Sequence, residues 1–241
     1  MPDRSDAPAR TWRTVLQHVE RRLLDGELGP GDRLPSERDL AAELGVGRSS
    51  VREAIRVLEV MGLIRTSTGS GPQAGAIVIA APGEGLSALL RLQVAAQGFP
   101  IADVVGTRLI LEQAVVAALA AGRRDTAEAH RILDAMEAEL PAADFLALDA
   151  QLHLALAEAS GNAVVAAMMT GLRDSIESYV LSGSAGIRDW ERMAERLRAE
   201  HRDLVRAIDE GRADAAAALV RDHITGYYSA TGLAGAADTN P

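Results

Sequence analysis

Four side chains in the second half of the sequence, Asp149, His153, His201 and His223, are of the types that hold a divalent metal ion. Asp149 and His153 stand four residues apart, so on a helix they project side by side from one face. The three His lie on apolar stripes: His153 among Leu148, Leu152 and Leu156, His201 between Leu197 and Val205, and His223 between Leu219 and Tyr227. His130 has only Ala, Glu and Arg around it. One buried His is ordinarily a hydrogen-bonded core residue. Several inward-facing polar groups left unpaired would cost about 1–3 kcal/mol each, which favours a shared ligand. Imidazole and carboxylate together suit a borderline ion, zinc first, with nickel or manganese as alternatives. Helical bundles house such ions between facing helices.

A second set lies near the N-terminus. Arg48, Arg52 and Arg56 recur at four-residue spacing, away from the stripe Val51, Ile55 and Leu58. Arg48, Ser49 and Ser50 fall where this helix should begin, and free backbone N–H groups there favour a phosphate. The guanidinium can fork onto phosphate or a guanine edge. Solvated pairs with Glu43, Glu53 or Glu59 would account for any one of these Arg residues; three in one frame favour DNA.

The elements that must position these groups are legible from period and punctuation. Apolar spacing predicts a helix over 11–25, broken by Gly26, Gly29, Pro30 and Gly31. Ser36 and Asp39 form a capping box that opens a second helix, stopped at Gly45. A third runs from Arg48 to about Gly62. Two β-prone runs, 63–66 and 76–79, flank a Gly-rich loop. Helix, helix, helix, hairpin is the plan of a winged helix-turn-helix. From there helices are expected over 84–97, 101–122, 125–139, 142–160, 163–182, 189–211 and 213–231. The fold class is therefore mainly α, a winged helix-turn-helix followed by an all-α helical bundle. The expected division is a disordered tail over 1–10, a DNA-binding domain over 11–81, a linker and first helix over 82–100, the helical domain over 101–232, and a flexible tail over 233–241.

Composition agrees. Hydrophobic residues are 48% and aromatics 3%, so the core must be built of Ala, Leu, Val and Ile. The net charge of -9 is uneven: residues 1–80 hold 11 Arg against 11 acids, and the remainder holds 14 Arg against 23. There is no Lys and no Cys, which excludes disulfides and thiolate metal sites. The first residues lack an apolar signal core and no long uncharged apolar run occurs, so a cytoplasmic protein without a membrane partner is expected.

The run LPSERDLAAELGVGRSSVREAIRVLEVMGLI, residues 34–64, resembles the GntR family of bacterial repressors. That resemblance implies Arg38, Arg48 and Arg52 as DNA contacts, with Ser49 and Ser50 beside them and Gly69 at the wing tip. Gly47 stands where related sequences usually carry Ser or Thr. The runs FLALDAQLHLALAEASGN, 145–162, and AEHRDLVRAIDEGRADAAAALVRDHI, 199–224, resemble the FCD ligand domain of the FadR-type subgroup. The likeness implies that Asp149, His153, His201 and His223 bind the metal. It also implies that Arg108 grips the carboxylate of a small organic acid, with Asn162 as a further effector contact. Taken alone, Arg108 reads as a partner for Asp103 or Glu112, and Gly161-Asn162 reads as a helix-ending turn.

The expected function is a DNA-binding transcriptional regulator, a repressor rather than an enzyme. It would be a homodimer on an inverted-repeat double-stranded operator, controlled by a small carboxylate at the metal site. The alternatives are a metal-dependent enzyme in the helical domain, and a regulator in which the metal is structural or is itself the signal.

Overall fold

The computed structural model describes residues 7–67, 75–122 and 125–231, which divide by contact into two units, 1–86 and 87–241.

In the first unit three helices precede a hairpin: α1 (Ala7–Leu24), α2 (Glu37–Leu44), α3 (Arg48–Val60), β1 (Ile64–Ser67) and β2 (Gly75–Val78). α1 begins at Ala7, ahead of the expected start at residue 11, so 7–10 are helical rather than part of a disordered tail. Ala is the best helix former, and Pro8 in a first turn has no intrahelical N–H to lose. The Ser36 cap is realised, its side chain accepting from the Asp39 N–H. Gly45 closes α2 with φ 65°, a left-handed conformation that Gly adopts without a Cβ penalty and that turns the chain into α3. β1 and β2 are antiparallel, Ile64 opposite Val78 and Ser67 opposite Gly75. A third extended stretch was not expected: the Leu34 N–H donates to Ala76 O and the Val78 N–H to Asp32 O, on the outer edge of β2. Its Gly- and Pro-rich approach disguises it. Val15, Val19, Leu40, Val51, Ala54, Leu58, Ile64 and Val78 close the core. The wing tip, with Gly69, lies outside the described residues.

α4 (Pro82–Ala95) carries the division between the units, at Leu86 and Ser87. The second unit continues with α5 (Ile101–Gly122), α6 (Ala127–Met136), α7 (Ala142–Ala159), α8 (Ala163–Ser184), α9 (Trp190–Asp209) and α10 (Ala213–Ala230). No strand occurs among its described residues. α5 is the central element, packed along α10 and also against α7, α8 and α9. By length and composition alone α5 is apolar enough to cross a membrane. Its buried Arg108 and Glu112 and its helical neighbours make it the core helix of the bundle. Leu119, Phe145, Leu152, Leu156, Met169, Leu197, Leu204 and Ile208 fill the space around it.

Candidate metal centre

α7, α9 and α10 each turn one imidazole toward a common point. His153 Nε2 lies 3.3 Å from His223 Nε2, and His201 Nε2 lies 3.2 Å from the same atom. Asp149, one turn before His153 on α7, places Oδ1 3.1 Å from His201 Nε2 and 3.6 Å from His223 Nε2. The four donor atoms all fall within 4.8 Å of one another. The rings are withdrawn from solvent, His201 completely.

The hydrogen-bond chemistry tests whether a cation fits. His153 Nδ1 is 2.5 Å from Glu112 Oε2, and His223 Nδ1 is 2.8 Å from Glu200 Oε2. A carboxylate only accepts, so both Nδ1 atoms carry the proton, and each neutral ring then directs a bare Nε2 lone pair inward. Two acceptors facing each other at 3.3 Å repel unless something positive stands between them. Ligand atoms about 2.0–2.2 Å from one ion, at angles between a right angle and the tetrahedral value, are separated by roughly 2.8–3.6 Å. The four residues fit a single borderline divalent ion in both spacing and donor type. Glu112 and Glu200 stand where the carboxylates that orient metal-binding imidazoles would stand. His201 Nδ1 is buried and has no hydrogen-bond partner among the described residues.

Without a metal, a proton plays the cation's part. Burial pushes His223 down, but hydrogen bonds to Asp149 and Glu200 and their charges outweigh it and hold the imidazole at about 9. His201 is pushed to about 4 by burial and by His223 beside it. Asp149 is disfavoured as an anion by burial, yet hydrogen bonds from His201 and His223 bring it well below the usual carboxylate range. A His pKa raised on folding stabilises the fold fully below the unfolded value, near 6.5, and that contribution is lost as pH rises through the folded value. Chelated protein is therefore expected to melt lower as pH climbs from about 6.5 to about 8.5, while metal-loaded protein holds its melting temperature. Melting curves with and without chelator would show the gap widening with pH; a constant gap would mean that metal displaces no proton from His223.

Arg108 is buried on α5 and pairs with Glu112, one of the two acids its spacing suggested, inside the bundle rather than at the surface. Its Nε and Nη2 donate to Glu112 Oε1 at 3.0 and 2.7 Å, and its Nη1 donates to the Tyr228 hydroxyl at 3.0 Å. Glu112 thus joins Arg108 to His153, a role that the sequence reading missed. The i,i+4 spacing of Arg108 and Glu112 was its one local signal. Arg108 and Asp149 line the same cavity of about 210 Å³, together with Leu146, Arg173, Ile176 and Glu177. Asn162 is elsewhere in use: its Oδ1 accepts from the Val164 and Val165 N–H groups and caps α8, and its side chain is not among those lining the cavity.

In the first unit Arg38, Arg48, Ser49, Arg52 and Arg56 are exposed. Arg52 Nη2 pairs with Glu37 Oε2 at 3.1 Å, joining α3 to the start of α2. Arg38 contacts its neighbour Asp39 at 3.2 Å. Ser50 does not share that face. It is buried and its hydroxyl donates to Thr11 Oγ1 at 3.0 Å, tying α3 to α1. α3 turns by about 100° per residue, so Ser50, adjacent to the buried Val51, faces inward although Ser49 does not.

Residues 11–72 match the family described as "Bacterial regulatory proteins, gntR family", and residues 103–226 match the FCD domain. The chain is 32% identical to the HTH-type transcriptional regulator LutR of Bacillus subtilis over 84% of this chain and 93% of that one. It is 27% identical to the Glc operon transcriptional activator of Escherichia coli K12 over 87% and 84%, and 34% identical to the repressor NanR of Citrobacter rodentium over 66% and 62%. Among solved structures, Streptococcus agalactiae GntR shares the fold with a TM-score of 0.64 at 24% identity, covering 90% of this chain and 99% of that chain.

Proposed function

The chain belongs to the GntR family of transcriptional regulators, FadR-type with an FCD domain, and on that premise we propose a cytoplasmic homodimeric repressor whose affinity for an inverted-repeat operator is set by a small organic acid. The observation that carries this reading is the position of Asp149, which belongs both to the four-residue metal centre and to the wall of the cavity that Arg108 lines.

Asp149, His153, His201 and His223 would hold a divalent ion, zinc in the first instance. When bound, that ion supplies a concentrated positive charge beside the cavity to which a carboxylate can bind. Arg108 presents a rigid planar guanidinium, with Glu112 and Tyr228 fixing its plane. Glu112 touches both Arg108 and His153, so displacement of one is felt by the other. The groups involved come from α5, α7, α9 and α10. An acid that binds one packing of these helices more tightly than another shifts the population by that difference. The role is binding, not turnover. A repressor is proposed after NanR; the Glc operon activator carries the opposite sign, and a reporter assay with and without the acid decides between them.

The reading is tested by thermal-shift screening of the metal-loaded protein against small carboxylic acids, repeated after chelation. An acid at a hundred times its Kd adds about 2.7 kcal/mol, roughly 5–10 °C in melting temperature for a chain of this size. The expected result is a selective hit that disappears on chelation and that alters operator binding. A metal that changes operator affinity alone, with no acid response, would instead make the metal the signal. Turnover of any carboxylate or ester would sink the regulator-only reading.

A further inference from the structure

The cavity beside the metal centre holds a second guanidinium that neither the sequence motifs nor the metal site accounts for. Arg173, on α8, lines it together with Arg108 and Asp149. The two Arg residues differ in their pairing. Arg108 has its charge balanced by Glu112 at 2.7 Å. Arg173 has no ion pair or hydrogen bond among the described residues, although Glu177 follows one turn later on the same helix and Asp174 is adjacent. Asp174 is engaged by Arg91 at 3.6 Å, and Glu177 is exposed. Arg173 is half-buried, and both burial and the like charge of Arg108 push its pKa down. An unpaired guanidinium held partly out of water, facing a cavity, is a cost to the ligand-free fold. It is repaid when an anion enters.

The charges around the cavity specify the kind of anion. A divalent ion at the centre exceeds the single charge of Asp149 by one. Arg108 and Glu112 cancel. Arg173 adds a further positive charge on α8, and Glu177 at the exposed edge of the wall and Glu200 behind His223 are the remaining acids, so positive charge faces the cavity at two separate places, the metal with Arg108 and Arg173. The volume, about 210 Å³, gives room for a small acid.

Building on the organic-acid reading above, we propose that Arg173 is a second anion-binding group of this cavity and that the effector is a small dicarboxylate, one carboxylate at the metal and Arg108, the other at Arg173. Arg173 is the residue that distinguishes diacids from monoacids of the same length.

The test uses the full-length, metal-loaded protein and matched probes, butyrate against succinate and the corresponding pair of hydroxy acids, with Kd measured by calorimetry. Wild type is expected to bind each diacid roughly 10–100-fold more tightly than its monoacid, the range of one charge-assisted contact. Arg173→Gln should remove that preference, lowering diacid affinity far more than monoacid affinity, and retain full metal content. A diacid preference that persists in R173Q, or a monoacid that binds wild type as well as its diacid, overturns the Arg173 assignment and leaves the organic-acid site standing. Failure of every acid to bind wild type overturns the acid-effector reading itself, and this proposal with it. A second variant guards against a purely structural role: Arg173→Met, without ligand, is expected to melt at or above wild type, and a clearly lower melting temperature would show that Arg173 holds the fold rather than a ligand.

Discussion

Replacing His201 by Ala is expected to abolish stoichiometric metal binding. His201 is fully buried, and its Nε2 is within 3.2 Å of one ligand atom of the centre and 3.1 Å of another. Loss of an outer partner of a metal ligand costs about 10–100-fold in affinity. Loss of a ligand itself is expected to exceed the upper end of that range. The variant also lacks the full complement of donors, so added metal should not restore stability. Metal content after dialysis, with a chromophoric chelator as competitor, reads the effect directly. His130→Ala is the control, because His130 is exposed and pairs with Asp209 at 2.9 Å, away from the four-residue group. Full occupancy at wild-type affinity in H201A would refute the four-ligand site. Equal losses in H201A and H130A would point to general destabilisation instead.

The second large effect is expected at α3, the helix proposed to read DNA. Arg52→Ala should weaken operator binding by about 1–3 kcal/mol, roughly 10–100-fold, with little change in melting temperature. Arg52 is exposed on α3, and among the described residues it pairs with Glu37 at the surface, so removing it opens no cavity. Glu37 holds the guanidinium in one orientation, which makes Glu37→Gln a milder variant of the same kind. The pattern of loss separates two roles. A base contact relaxes sequence preference at one operator position, whereas a phosphate contact lowers binding across all sequences and reduces the salt slope by about one. Unchanged affinity, specificity and salt slope in R52A would remove Arg52 from the interface. Ser50→Ala gives a useful contrast. Ser50 is buried against Thr11, so its loss should show in stability before it shows in DNA affinity.

Much of the architecture was legible along the chain because the signals are local. The Ser36 cap, the Gly45 turn and the Gly, Pro and polar breaks between α5 and α10 each depend on residues within one or two helical turns. The four candidate ligands were legible for the same reason. A polar group in the middle of an apolar stripe must face inward, whatever it meets there, and Asp149 and His153 share a face through helix geometry alone.

What those groups meet was decided only by the tertiary structure. Glu112 reaches His153 across 41 residues, and Glu200 reaches His223 across 23. Neither pairing has a spacing that a single helix could reveal. Arg108 is locked to Glu112 and Tyr228 rather than held at the surface, Ser50 faces Thr11, Asn162 caps α8, and Arg173 faces the cavity unpaired. Sequence period sets which side of a helix is apolar. The rotation of each helix to within one residue, and the crossing that brings two of them together, follow from the packing of every neighbour at once.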